Sequence, residues 1–162
     1  MRSMRPVSTM ILLGMSLGGF SACSSALLMT TPVSKQADGW GITLGQVKEG
    51  PDEYIGEGGV RVTSDAGEKL IWTLVTVKNE SGEEQTFSYD TCSLEGKGVA
   101  CKPLVVGRPA EAEAEVNTAA DRSEAIAPGQ DRARQLIFSF PKDQRPTRMK
   151  CDKIVLPIQG PR

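Results

Sequence analysis

The longest β-prone apolar run outside the N-terminal segment is Lys69-Leu70-Ile71-Trp72-Thr73-Leu74-Val75-Thr76-Val77-Lys78-Asn79. Side chains alternate along a strand, so Leu70, Trp72 and Leu74 take one face and Ile71, Val75 and Val77 the other. Both faces are apolar, which predicts a strand buried on both sides. A buried helix has the same apolar content, but the β-branched residues favour a pleated surface. Asn79-Glu80-Ser81-Gly82 then ends the run with turn chemistry.

The rest of the pattern is built from shorter strands. Trp40, Ile42 and Leu44 share one parity with Gln46, and Val47 begins the other, so residues 40–47 read as a first strand. Glu49-Gly50-Pro51-Asp52 is a turn. Residues 60–63 read as a short edge strand, 85–89 as another, 132–140 as a long one and 150–158 as the last. Seven or eight short strands with regularly spaced turns predict an all-β, immunoglobulin-like antiparallel β-sandwich.

The first residues follow a different logic. Met1-Arg2-Ser3-Met4-Arg5 is a short basic head, and residues 7–17 form an apolar core too short to be read as a membrane span. Gly19-Phe20-Ser21-Ala22-Cys23-Ser24 follows. Small residues before a cysteine in this position resemble the lipobox of bacterial lipoproteins, with Phe20 in place of the usual aliphatic residue. The resemblance implies cleavage between Ala22 and Cys23, a lipid on the Cys23 thiol and acylation of the new amino group. Ser24, rather than Asp, fits sorting to an outer membrane, facing the periplasm. The expected organisation is a signal peptide over residues 1–22, a flexible lipid-anchored tether over 23–39 and the sandwich over 40–162. A single acyl chain binds membranes reversibly and two or three hold stably, so the expected partner is the membrane itself, reached through lipid.

Composition narrows the function classes. The chain of 162 residues has 19 Lys+Arg, 20 Asp+Glu and no histidine. Removal of residues 1–22 takes away Arg2 and Arg5 and leaves 17 basic against 20 acidic residues, a net charge of −3. That balance offers no footprint for nucleic acid. The lack of histidine removes the commonest general base and the commonest metal ligand. No C-x-x-C spacing supports a zinc site, and no nucleophile-elbow or phosphate-loop motif is present. The carboxylate pairs Asp52-Glu53 and Glu83-Glu84 fall in turns, where charges are solvated. No cofactor, metal or enzymatic activity is expected.

With Cys23 lipidated, Cys92, Cys101 and Cys151 remain. An exported protein permits a disulfide. Glu95-Gly96-Lys97-Gly98 reads as a hairpin loop; if Leu94 pairs with Val99, then Cys92 lies opposite Cys101. Cys92–Cys101 is the expected bridge, and Cys151 with one of those two is the alternative. The remaining thiol is expected in the interior as a small hydrophobe. Ala110-Glu111-Ala112-Glu113-Ala114-Glu115 reads as a solvated acidic insertion, without the ligand spacing of a calcium loop. Arg145, Arg148, Lys150 and Lys153 form a basic cluster, read as a solvated edge that discourages strand addition.

The order of motifs also carries a resemblance. Trp72 with Val75-Thr76-Val77-Lys78-Asn79, then Thr86-Phe87, the Cys92/Cys101 hairpin, Pro128-Gly129 and the Phe138-Ser139-Phe140-Pro141 strand end resemble a telokin-like, immunoglobulin-type domain of bacterial lipoproteins and exported proteins. The resemblance spans residues 40–158, and the acidic insertion is longer than its pattern. It implies a sandwich, a family largely of unknown function and no catalytic residues. The expectation is a lipid-anchored cell-envelope binding protein that recognises a protein or ligand through sandwich loops. The alternative is a structural or assembly lipoprotein of a larger envelope or secretion complex.

Overall fold

The computed structural model describes residues 26–29, 31–56, 59–109 and 120–160. The signal segment with Cys23, and the acidic run expected at 110–115, lie outside the described residues. In chain order the strands are β1 (Leu27–Met29), β2 (Val33–Ala37), β3 (Trp40–Glu49), β4 (Glu53–Ile55), β5 (Arg61–Thr63), β6 (Glu68–Asn79) and β7 (Gln85–Ser88). A 3-10 turn at Tyr89–Thr91 leads to β8 (Cys92–Gly96), β9 (Val99–Cys101), β10 (Val105–Gly107), β11 (Ser123–Ile126), β12 (Asp131–Pro141), β13 (Arg148–Cys151) and β14 (Ile154–Pro157). One sheet runs β1-β3-β6-β12-β10, with β2 also paired to β3; a second runs β14-β13-β8-β9. The pairs β7–β11 and β4–β5 complete the described set. Every pairing is antiparallel, and the expected all-β antiparallel sandwich is present.

The long run identified in the sequence is the middle strand, β6, and its two faces behave as the alternation predicts. Ile71, Val75 and Val77 enter the main core with Leu136, Phe138 and Phe140 of β12. Cys92, Leu94, Met149, Cys151, Ile154 and Leu156 meet them from the second sheet. On the other face, Leu70, Trp72 and Ile137 cluster with Tyr54 and Val62 of β4–β5, with Val105 packed alongside, so the small β4–β5 hairpin acts as a lid on the outer surface of the sheet. Gly50 allows this cover: a Cβ there would sit 1.9 Å from Trp72 Cδ1. The parity change along β3 also has a cause. The ladder passes from Leu44↔Val75 to Gln46↔Leu74, leaving Gly45 as a bulge. Ile42, Leu44 and Val47 therefore all reach the core although their spacing breaks alternation.

Asn79 ends β6 and joins three segments. Its Nδ2 donates to Glu83 O (2.7 Å) and Ile126 O (2.8 Å), and its Oδ1 accepts from Ser81 N (2.9 Å) and Ser81 Oγ (2.6 Å). Its backbone N–H donates to Gln130 O, and its carbonyl accepts from Gly129 N. The side chain is fully buried and uses all four hydrogen-bonding positions. The β6–β7 turn, the end of β11 and the turn into β12 thus share one residue.

Four sequence expectations are corrected. Leu27–Met29 and Val33–Ala37, assigned to the flexible tether, are strands on the edge of β3, and Met29 is fully buried. They belong to the sheet because β3 offers a free edge and Leu28 and Met29 fill core space there. The fourteen strands among the described residues exceed the expected seven or eight, since β1, β2, β4 and β11 form in stretches read as tether, loop or insertion and short turns divide two stretches that read as continuous. The last expected strand is one such stretch. Asp152, with φ +51°, turns the chain between β13 and β14, a left-handed conformation that Asp tolerates. The hairpin after Cys92 also has a different register. Its loop is only Lys97-Gly98, with Gly98 at φ +73°, so Leu94 pairs with Cys101 and Gly96 with Val99.

That shift of two residues moves Cys101 away from Cys92. Cys92 instead faces Cys151 across β8–β13, and these two form the disulfide, leaving Cys101 as a partly exposed thiol. The expected Cys92–Cys101 bridge is replaced by the alternative involving Cys151. The bridge closes a sequence separation of 59 residues, for which the chain-entropy model gives about 4 kcal/mol.

Two predictions test this frame. Non-reducing peptide mapping should recover Cys92 linked to Cys151 and Cys101 as an alkylated thiol; a Cys92–Cys101 peptide would contradict the register. Asn79→Ala should cost about 3 kcal/mol in urea denaturation, because buried carbonyls lose their donors. Asn79→Asp should be destabilised more at neutral pH than at acid pH, since its carboxylate would face those two carbonyls.

Candidate binding groove

The outer face of the larger sheet has two halves. The Leu70–Trp72 half lies under the β4–β5 lid, and the half toward Lys78 is open. Register defines two cross-strand rows on this open half: Ser34–Thr43–Thr76–Ala133 and Gln36–Gly41–Lys78–Asp131. All of these but Ala133 form the floor of a groove of about 260 Å³, bordered also by Lys35, Ile42 and Glu80. Gly41 lies on the floor and lets Glu80 fold across the strand; a Cβ on Gly41 would stand 3.2 Å from Glu80 Oε1.

The groove is ordered by its own polar contacts. Ser34 Oγ and Thr43 Oγ1 are 2.8 Å apart. Gln36 Nε2 donates to Glu80 Oε1 at 3.2 Å, and Lys78 Nζ is 3.0 Å from Glu80 Oε1 and donates to Oε2 at 3.2 Å. Two lysines (Lys35 and Lys78) stand against two carboxylates (Glu80 and Asp131), so the lining has no dominant sign. Hydroxyls, an amide and balanced charges present many hydrogen-bonding groups to a polar, uncharged or zwitterionic ligand. They offer no electrostatic trap for a polyanion.

A second polar cluster is interior. Tyr89 Oη donates to Glu124 Oε1 at 2.5 Å, and Arg134 Nη2 donates to Glu124 Oε2 at 2.5 Å. Glu124 lies on β11 and Arg134 on β12, so the cluster ties the β7–β11 pair to the larger sheet. Burial, reinforced by the hydrogen bond to the neighbouring carboxylate, pushes the Tyr89 phenol far above its usual range. Burial raises Tyr54 as well. A phenol held so firmly in its protonated form supplies no base or nucleophile near neutral pH.

The residues singled out in the sequence are placed as follows. Burial, followed by the nearby Glu68 carboxylate, pushes the Cys101 thiol above its usual range, which lowers its thiolate fraction. Three members of the basic cluster are engaged separately: Arg145 donates to Leu28 O (3.1 Å), Arg148 to Glu95 Oε2 (2.6 Å), and Lys153 pairs with Asp38 (2.9 Å). The Arg148 hydrogen bond holds the Glu95 carboxyl below the usual range. Among the described residues, no three His, Cys, Asp or Glu gather as a metal site, and no helix is long and apolar enough to cross a membrane. Sequence reasoning missed Ser34 and Gln36 because it placed them in the tether. The alternation Val33-Ser34-Lys35-Gln36-Ala37, followed by Asp38-Gly39, was the available hairpin signal.

Comparison with known proteins agrees on architecture. A functionally unknown protein from Listeria monocytogenes EGD-e superposes with a TM-score of 0.51 at 12% identity, covering 85% of this chain and 88% of that one. An uncharacterized beta-sandwich protein from Clostridium difficile 630 gives 0.44 at 13% identity, over 72% and 80% of the two chains. The Listeria likeness supports the fold and nothing more specific. No protein-family model and no curated protein matches the chain.

Tyr54 and Tyr89 are the two tyrosines of the chain. With both phenols raised, alkaline absorbance titration should show little tyrosinate near pH 10, the ordinary phenol value. The unfolded chain releases these protons first, so the associated stability is complete below that pH and is lost as pH rises above it. Tyrosinate should therefore appear together with loss of the far-ultraviolet β signal. Early ionisation of a folded protein would contradict the buried placement of Tyr89.

Proposed function

We propose that this chain is a lipid-anchored cell-envelope binding protein, held at a bacterial membrane surface through Cys23. Its sandwich is, in this reading, a telokin-like, immunoglobulin-type domain with a binding rather than a catalytic role. The observation that supports binding is the groove: an open, ordered, hydrogen-bonding surface on the uncovered half of the sheet. Glu80 belongs to the β6–β7 turn and Asp131 opens β12 just after the β11–β12 turn, so recognition combines the sheet face with the loops expected from the sequence.

The rival reading, an assembly lipoprotein that joins a larger complex by strand addition, requires an open apolar edge. The β10 edge does not favour it. That strand is three residues long, and its Val106 carbonyl already accepts from Ala120 N at 3.1 Å.

The reading is tested in two steps. Protein extracted from membranes should have the intact mass of the chain from Cys23 plus two or three acyl chains; a lipid-free mass removes the anchor. A photo-reactive residue replacing Thr76 in the groove should trap an envelope component in intact cells. The same residue at Lys150, on the exposed face of the other sheet, should not. Equal trapping at both positions, or none at Thr76, removes the groove as the recognition surface.

A further inference from the structure

We infer that the anchored chain stands on the bilayer in one orientation, with the β1 end of the sandwich against the lipid surface and the groove end away from it. The inference rests on the lipid-anchor reading and adds what the fold does with that anchor.

The chain between anchor and domain is very short. Ala26 already belongs to the sheet, since its carbonyl accepts from Glu49 N at 2.9 Å. Only three peptide steps separate Cys23 from Ala26, and even a fully extended chain spans about 10 Å over that interval. The expected flexible tether is consumed by β1 and β2, so the acylated residue cannot wander around the domain. Whatever conformation these few residues take, the end of the sandwich carrying Ala26 stays within about 10 Å of the lipidated residue.

The strands beyond the anchor have a fixed direction. From the anchor the chain climbs along the edge of β3: Leu27 lies opposite Lys48, Met29 opposite Val47, Val33 opposite Leu44 and Ala37 opposite Trp40. The start of this climb is level with Trp72, which pairs with Lys48 across β3–β6, and its finish is level with Asn79, which pairs with Trp40. Seven residues of strand separate these levels, about 23 Å. Lys78 of the groove lies near the upper one.

Leu27, the first residue of β1, is an exposed apolar side chain at the lower end. Near it the Lys69–Glu49 ion pair (3.0 Å) balances charge. Lys48 lies opposite Leu27 and Arg145 donates to Leu28 O at the same end, so basic groups accompany the apolar contact, and the short tether sets the orientation.

The two tryptophans of the chain mark the two levels. Trp72 is at the lower level and Trp40 at the upper. The experiment uses full-length acylated protein in phosphatidylethanolamine–phosphatidylglycerol vesicles containing dansyl-labelled phosphatidylethanolamine, and it reads energy transfer from tryptophan to the headgroup dye. Trp40→Phe, which retains Trp72, should show severalfold stronger transfer than Trp72→Phe, which retains Trp40. Equal transfer, or stronger transfer from Trp40, overturns the orientation. If either variant fails to fold, the native sequence with a long Gly/Ser insertion between Cys23 and Ala26 decides the matter. Insertion should lower total transfer severalfold, and unchanged transfer overturns the proposal. Flotation with vesicles is measured first. Protein that does not float, or has a lipid-free mass, refutes the anchor itself, whereas protein that floats without the transfer difference refutes the orientation alone.

Discussion

The β6–β12 ladder is the constraint on which the rest of the molecule depends. Eleven residue pairs, from Asp131↔Lys78 to Pro141↔Glu68, hold two long strands in one register. A one-residue slip would exchange the faces of every side chain. Ile71, Val75, Leu136 and Phe138 would then leave the space between the sheets, and Trp72 and Ile137 would enter it. Both faces being apolar does not make the register ambiguous, because the two faces are matched to covers of different size. The main core is closed by a second sheet and the outer cluster by a small hairpin that fits one indole.

The ladder also determines where polar chemistry can gather. Where Tyr54 covers the outer face, the even-numbered positions of β6 are apolar. Beyond that cover they become Thr76 and Lys78, and the cross-strand partners bring Ser34, Thr43, Gln36 and Asp131 beside them. The groove is therefore a product of pairing among residues far apart in the chain. Asn79 sits where this surface meets the end loops. Its side-chain amide joins the β6–β7 turn to the end of β11, its backbone holds the turn into β12, and leaving such groups buried without partners is costly.

The disulfide shows how a small local difference is decided by neighbouring strands. A four-residue loop and a two-residue loop are both compatible with Glu95-Gly96-Lys97-Gly98, but they place Cys92 opposite different residues. With the tight turn at Gly98, Leu94, Glu95 and Gly96 take the pairs with β9 that Cys92, Ser93 and Leu94 would have made, and Cys92 is left facing β13. Cys151 arrives there because Asp152 and Lys153 reverse the chain immediately after it. The thiol left over, Cys101, lies across from Leu94 and packs against the same core.

The sequence by itself determined the β class, the central strand with its two apolar faces, the turns at Gly50 and Gly82 and the parity break near Val47. Each follows from local side-chain periodicity or turn preference, which depends on a residue and its near neighbours. The lipobox resemblance and the acidic run were equally legible but fall outside the described residues. Only the tertiary structure decided the strand identity of Leu27–Met29 and Val33–Ala37, the Cys92–Cys151 pairing, the lid over Trp72 and the groove on the opposite half of that face. The physical reason is common to all four. A short segment such as Val33-Ser34-Lys35-Gln36-Ala37 has too little local preference to fix its own state. It becomes a strand because the unpaired edge of β3 supplies hydrogen-bond partners; its alternation and the Asp38-Gly39 turn permit that pairing without fixing it.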